Sequence, residues 1–136
     1  MKIEEFTIGM SASYEQTVTD ADIKNFAGIS GDKNPVHMSD DYAEKSKFKK
    51  RIAHGLMSAS YFSALFGTKL PGEGCVYVSQ NLTFRKPIYI GDTVKAIVTI
   101  KDIDIKKHRL FFDTVCVVNG KTVISGDAEI YIPESD

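Results

Sequence analysis

The chain has no long apolar run, few cysteines and almost no net charge, and each shortage removes a class of function. Its longest apolar stretch, Leu56 to Phe66, is interrupted by serines and is too short to cross the ~30 Å hydrocarbon core of a bilayer. No charged, apolar and small-residue succession marks the start, where Met1-Lys2-Ile3-Glu4-Glu5 is already polar. Neither a membrane span nor a leader is therefore expected, and the cytoplasm is the expected location. The formal net charge of −1 offers no basic excess for nucleic acid. The two cysteines, Cys75 and Cys116, lie in strand-like runs without CxxC or His-rich spacing. Buried reduced thiols are expected there, with no disulfide and no metal. Repeats, low-complexity tracts and linkers are also missing, so 136 residues with 43% hydrophobic content read as one domain, residues 1–136.

What is present divides into two periodicities. The first half has helical spacing. Thr19 with Asp22 three residues on resembles a capping box, and Ile23, Phe26, Ala27 and Ser30 then share one helical face until Gly31 stops the run. A short helix from Asp40 to Lys45 follows, acidic at its start and basic at its end, as the helix dipole favours. From Gly55 to Phe66 apolar residues cover every side of a helix, which predicts a central helix buried all round and ended by Gly67 and Pro71-Gly72.

The second half alternates with period two. Strands are expected from Val76 through Phe84, from Thr93 to Ile100 after a Gly91-Asp92 turn, from Leu110 to Val118 and from Lys121 to Ile132. Asn119-Gly120 joins the last two, a pair suited to a two-residue hairpin turn with positive φ. An antiparallel sheet wrapped around one long buried helix, an α+β fold, accounts for these elements.

Two segments carry chemistry. Gly31-Asp32-Lys33-Asn34-Pro35-Val36-His37 holds a carboxylate and an imidazole five positions apart, the two groups that proton transfer near neutral pH most often uses. The same residue types are the ordinary vocabulary of a surface turn, and the sequence leaves both readings open. Arg51-Ile52-Ala53-His54-Gly55-Leu56 then opens the apolar helix with a glycine amide, at a helix start where unpaired N–H groups attract negative charge. An acid/base pair and an oxyanion donor are what addition of water to an activated double bond requires.

With Ser63 on the helix and Phe84-Arg85-Lys86-Pro87-Ile88-Tyr89-Ile90-Gly91-Asp92-Thr93 downstream, these segments make the chain resemble the (R)-specific enoyl-CoA hydratases of the MaoC-like hot-dog superfamily. The resemblance spans nearly the whole chain. It implies a hot-dog fold, a bent antiparallel sheet around a long central helix, with an overhanging segment carrying the active site and two sheets paired edge to edge in a homodimer. It implies syn addition of water to a trans-2-enoyl thioester, giving (3R)-3-hydroxyacyl-CoA, with coenzyme A as part of the substrate and no metal or redox cofactor. Asp32 and His37 become the catalytic pair and Gly55 the oxyanion donor. Asn34, Ser63, His54 and Arg85 become candidates for substrate binding.

Each binding candidate also has a bland reading. Asn34 suits an Asx turn, Ser63 could bond back to the carbonyl four residues earlier, and His54 could merely cap or pack. Lys47, Lys49, Lys50 and Arg51 read as a solvated loop or as a path for an anionic nucleotide tail, with Arg85 and Lys86 as further phosphate contacts. His108, after Lys106-Lys107, reads as solvated. Rival functions are a 3-hydroxyacyl-[acyl-carrier-protein] dehydratase and, further away, a hot-dog thioesterase or a non-catalytic acyl-thioester-binding module. Short-chain substrates are preferred, in polyhydroxyalkanoate precursor supply or fatty acid breakdown.

Overall fold

Alternation in the second half becomes a six-stranded sheet. A computed structural model describes residues 1–134. Its strands are β1 (Ser11–Thr17), β2 (Val76–Gln80), β3 (Thr83–Phe84), β4 (Thr93–Asp104), β5 (Arg109–Val118) and β6 (Lys121–Tyr131), and its helices α1 (Asp20–Ser30), α2 (Pro35–Met38), α3 (Asp40–Glu44) and α4 (Gly55–Thr68). The sheet runs β1-β4-β5-β6-β2, with β3 also on β6, and every pairing is antiparallel. Bulges at Ile100/Asp102, Cys116/Val117 and Tyr77/Ser79 interrupt the register, and bulges of this kind increase twist and bend the bulged strand. The result is a curled antiparallel sheet, the hot-dog arrangement of an α+β fold.

The concave side is filled by α4. Val94, Ala96, Val98 and Ile100 of β4 and Leu110, Phe112 and Cys116 of β5 face inward, with Phe62, Leu65 and Phe66 of the helix packed against them. Phe66 meets Phe112 edge-on, centroids 4.8 Å apart. In the bend between β2 and β3, Asn81 donates its amide to the Asp127 carbonyl and accepts from the Asp127 amide through Oδ1. The strand opposite must be bare there: a methyl group on Gly126 would lie 1.9 Å from the Asn81 carbonyl oxygen.

Four expectations change. The central helix is not buried all round; Leu56 is 58% exposed, and Ser60, Ser63 and Ala64 also lie open, beside the bare outer strand β2. Nor does Gly67 end it, since helical geometry continues to Thr68. Ser30 turns away from the core, donating from Oγ to the Phe26 carbonyl and accepting from the Asp32 amide. His108 is half-buried instead of solvated, held at φ 55° in its turn with Nε2 3.7 Å from Glu134.

Candidate active site

Local capping chemistry builds the segment that carries Asp32 and His37. The Thr19/Asp22 capping box starts α1, and Gly31, at φ 79° where only glycine is at ease, stops it. Asp32 then accepts the Asn34 amide on Oδ1 (3.1 Å), and Asn34 accepts the Val36 amide on its own Oδ1 (3.3 Å). Asn34 thus caps α2, with Pro35 at the first helical position. The expected turn is half turn and half helix, and His37 sits on its single helical turn. Asn34 takes its bland reading, an Asx-type turn: its side chain is spent on the cap, and it meets Asp32 through its main-chain amide.

His37 is 8% exposed. Its Nδ1 lies 2.7 Å from the Ile52 carbonyl, which can only accept, so Nδ1 carries the proton and Nε2 is left with its lone pair. Burial pulls the imidazole below the ordinary histidine value and the neighbouring His54 adds to this, while the Ile52 carbonyl and Asp32 oppose it. A neutral, proton-accepting ring is the consequence. His54, 2% exposed, stands behind: its Nε2 donates to the Asp32 carbonyl at 2.8 Å, and its ring stacks on His37 with centroids 4.0 Å apart. It braces the pair from below, although its ring also borders the recess.

Ligand-type atoms of Asp32, His37 and His54 lie within 4.8 Å of one another. Two partners of one tetrahedral water at hydrogen-bond distance stand about 4.6 Å apart, so Asp32 and His37 can grip a common water. These three side chains are also the group among the described residues spaced to hold a metal ion. With Nδ1 of His37 and Nε2 of His54 engaged, the donors left for an ion are His37 Nε2, His54 Nδ1 and the carboxylate.

Beside the pair, α4 begins without a side-chain cap, and the Gly55 amide has no backbone partner among the described residues. Gly55 and His37 border both a cleft of about 370 Å³ and a recess of about 160 Å³ that also takes in Asp32, His54 and Leu56. The need for a glycine comes from a neighbour across the fold: a methyl group at Gly55 would sit 2.5 Å from Cδ1 and Cε1 of Phe84, whose ring lies over it and lines both spaces.

The basic cluster divides. Lys47 borders the cleft together with Arg85 and Lys86, and Arg85 is steadied by its Nε–H on Ser125 Oγ (2.8 Å). Lys49, Lys50 and Arg51 border a separate depression with Asp40 and Glu44. Arg51 is no solvated residue, since only 9% of its side chain is exposed. Ser63 is not brought to the pair. It opens onto a groove with Leu56, Ser60, Tyr77 and Leu82, separated from the recess by Leu56, which lines both, and its hydroxyl makes no hydrogen bond among the described residues. The two thiols are free, Cys116 buried and Cys75 partly so, and burial pushes Cys116 up to about 12.

Comparison with known proteins places the chain among relatives of the same fold. The chain is 48% identical over 130 residues, 96% of its length and 90% of the relative's, to an (R)-specific enoyl-CoA hydratase of Rhodospirillum rubrum. It is 37% identical over 133 residues to a 3-hydroxybutyryl-CoA dehydratase of Methylorubrum extorquens, covering 98% of this chain and 85% of that one. Its fold superposes on an (R)-hydratase from A. caviae involved in PHA biosynthesis with a TM-score of 0.93 at 31% identity, over 96% of this chain and 99% of that structure. Residues 5–126 match the MaoC like domain, and with a carboxylate and a neutral imidazole meeting beside an open helix start, the chain belongs to the MaoC-like family.

Proposed function

We propose that this protein catalyses (R)-specific hydration of trans-2-enoyl-CoA to (3R)-3-hydroxyacyl-CoA, a hydro-lyase reaction. The observation that carries the reading is the placing of Asp32 and His37 within reach of one water, next to the uncapped amide of Gly55. Water held by the pair attacks C3 of the thioester. Charge moves to the carbonyl oxygen, where the Gly55 N–H and the start of α4 stabilise the enolate-like transition state by about 3–4 kcal/mol. An exposed carboxylate and a neutral imidazole hold no spare proton between them other than the anchored Nδ1–H. The proton delivered to C2 therefore comes from the attacking water, relayed through the pair to the same face.

Lys47, Arg85 and Lys86 give the cleft a positive rim suited to the phosphates of coenzyme A. A short acyl chain agrees with the name of the Methylorubrum relative, a 3-hydroxybutyryl-CoA dehydratase. The protein acts as a homodimer in this reading, because the bare strand β2 exposes Val76, Tyr77 and Val78 at 46%, 39% and 43%, an edge that soluble proteins cover or pair. Incubation with crotonyl-CoA and an (S)-specific 3-hydroxyacyl-CoA dehydrogenase tests the stereochemistry. Loss of enoyl absorbance without NADH formation is expected, and chiral chromatography should return the (3R) alcohol. Rapid NADH formation would overturn the reading.

A further inference from the structure

We propose that Arg51, held by Asp20, is the positioning residue that sets the His37 imidazole in place; the inference rests on the reading of His37 given above. The helix that carries His37 has four residues, one turn, too short to keep its shape unaided. Its fixed geometry comes from the strand of chain opposite, at three points. Ile52 N–H donates to the Val36 carbonyl (3.3 Å), the Ile52 carbonyl accepts from His37 Nδ1 (2.7 Å), and Arg51 Nε–H donates to the His37 carbonyl (2.7 Å). Two of the three fix the main chain on either side of the His37 side chain, and the third fixes its ring.

Arg51 is in turn anchored. Its Nη2 donates to Asp20 Oδ1 at 2.6 Å, and Nη1 lies 3.9 Å from Asp40 Oδ1. Asp20 opens α1 and Asp40 opens α3, so one guanidinium ties the starts of two helices to the carbonyl of His37. Only a planar fork can donate from Nε to one acceptor and from a terminal nitrogen to another at the same time; a lysine ammonium on a flexible stem cannot keep both directions. Arg51 borders neither the cleft nor the recess. It therefore acts on the reaction through His37 and not through the substrate.

The test compares Arg51→Gln, Arg51→Lys and Asp20→Asn with the parent, with Lys24→Ala as a control that removes the exposed Lys24–Asp20 pair (2.8 Å) and leaves Arg51 in place. Arg51→Gln should lower kcat for crotonyl-CoA about 10- to 100-fold with KM within about 3-fold, the mark of a displaced proton carrier. Arg51→Lys, which keeps the charge, should fail to restore kcat. Asp20→Asn should cost about 3- to 10-fold, and Lys24→Ala should match the parent. In ¹H–¹⁵N spectra the His37 Nδ1–H resonance should shift or broaden in both Arg51 variants and stay in place in Lys24→Ala. A folded Arg51→Gln with kcat within about 2-fold of the parent, or full rescue by Arg51→Lys, overturns the proposal. Should Arg51→Gln not fold, parental kcat in Asp20→Asn overturns it instead. His37→Asn is assayed alongside. If it turns over normally, the proposed function itself fails; if it is inactive while the Arg51 and Asp20 variants are not, only the role of Arg51 falls.

Discussion

The anchoring of His37 makes it possible to remove its proton chemistry without removing its support. In His37→Asn the amide nitrogen falls where Nδ1 stood, so the bond to the Ile52 carbonyl can persist while the Nε2 acceptor is lost. In His37→Gln the amide reaches toward the Nε2 position and the Ile52 bond is given up. Asp32→Asn likewise keeps an oxygen for the Asn34 amide but no longer a base. Positioned proton transfer contributes about 10²–10⁴-fold, which corresponds to about 2.7–5.4 kcal/mol of barrier. Each of the three variants should therefore lose at least about 10²-fold in kcat for crotonyl-CoA, with KM little changed. Stability should separate them: His37→Gln, leaving the Ile52 carbonyl unpaired, should unfold about 1–3 kcal/mol more easily than His37→Asn. The Asp32→Asn/His37→Asn double variant should be hardly worse than the poorer single one, because two groups serving one water fail together. The measurements are initial rates from enoyl-thioester absorbance and urea unfolding. Near-parental turnover in any folded single variant would refute the pair, and multiplicative losses in the double variant would refute the shared water.

Four further outcomes are expected. Because burial lowers the His37 pKa, the neutral ring should persist below pH 6.5, and the acid limb of kcat/KM should have its midpoint under that value; a midpoint above 6.5 would contradict the assignment. The same shift makes the unfolded chain the better proton acceptor, so the His37 contribution to stability is complete above pH 6.5 and declines as pH falls from there toward the folded-state value, a slope that His37→Asn should remove in urea titrations. Gly126→Ala should destabilise by about 3 kcal/mol or more, roughly 10 °C in Tm, because the contact at 1.9 Å is with main chain that cannot step aside; a Tm within about 2 °C of the parent would show that the bend at Asn81 moves freely. Val78→Glu should charge the open strand edge and yield a 15.1 kDa species by sedimentation, and a parent that is already a fully active 15.1 kDa monomer at micromolar concentration would refute the dimer.

Much of this was legible in the chain, for identifiable reasons. The Thr19/Asp22 box, the Gly31 stop, the Gly55 start and the Asn119-Gly120 hairpin are local chemistry, and Val94, Ala96, Val98 and Ile100 announce their inner face by period alone. Asp32 and His37 could be paired because they stand only five positions apart. Four-residue α2 is shorter than any period can reveal, and β1, Ser11 to Thr17, shows its inner face through only Ala12 and Tyr14 before the polar Gln16, too few apolar positions to announce a strand. The exposure of Leu56 and Ser63 depends on which side of α4 the sheet covers, which apolar content does not state. Arg51 was hidden by its lysine neighbours, and its partner Asp20 lies 31 residues away, beyond any local signal. Phe84 was in plain view in its motif, but only the fold places its ring over Gly55.

Both reactive side chains take their anchors from the main chain: Asp32 from the amide of Asn34, His37 from the carbonyl of Ile52. A carbonyl is supplied by every amino acid and an amide by all but proline. Over evolutionary time the side chains at such positions can therefore drift under packing demands alone, while the course of the backbone stays under selection through a few tethering residues elsewhere. In a saturation library scored for turnover, position 52 should accept many apolar replacements and position 51 almost none, so the map of intolerant sites would trace the scaffold that aims the chemistry and not only the groups that perform it.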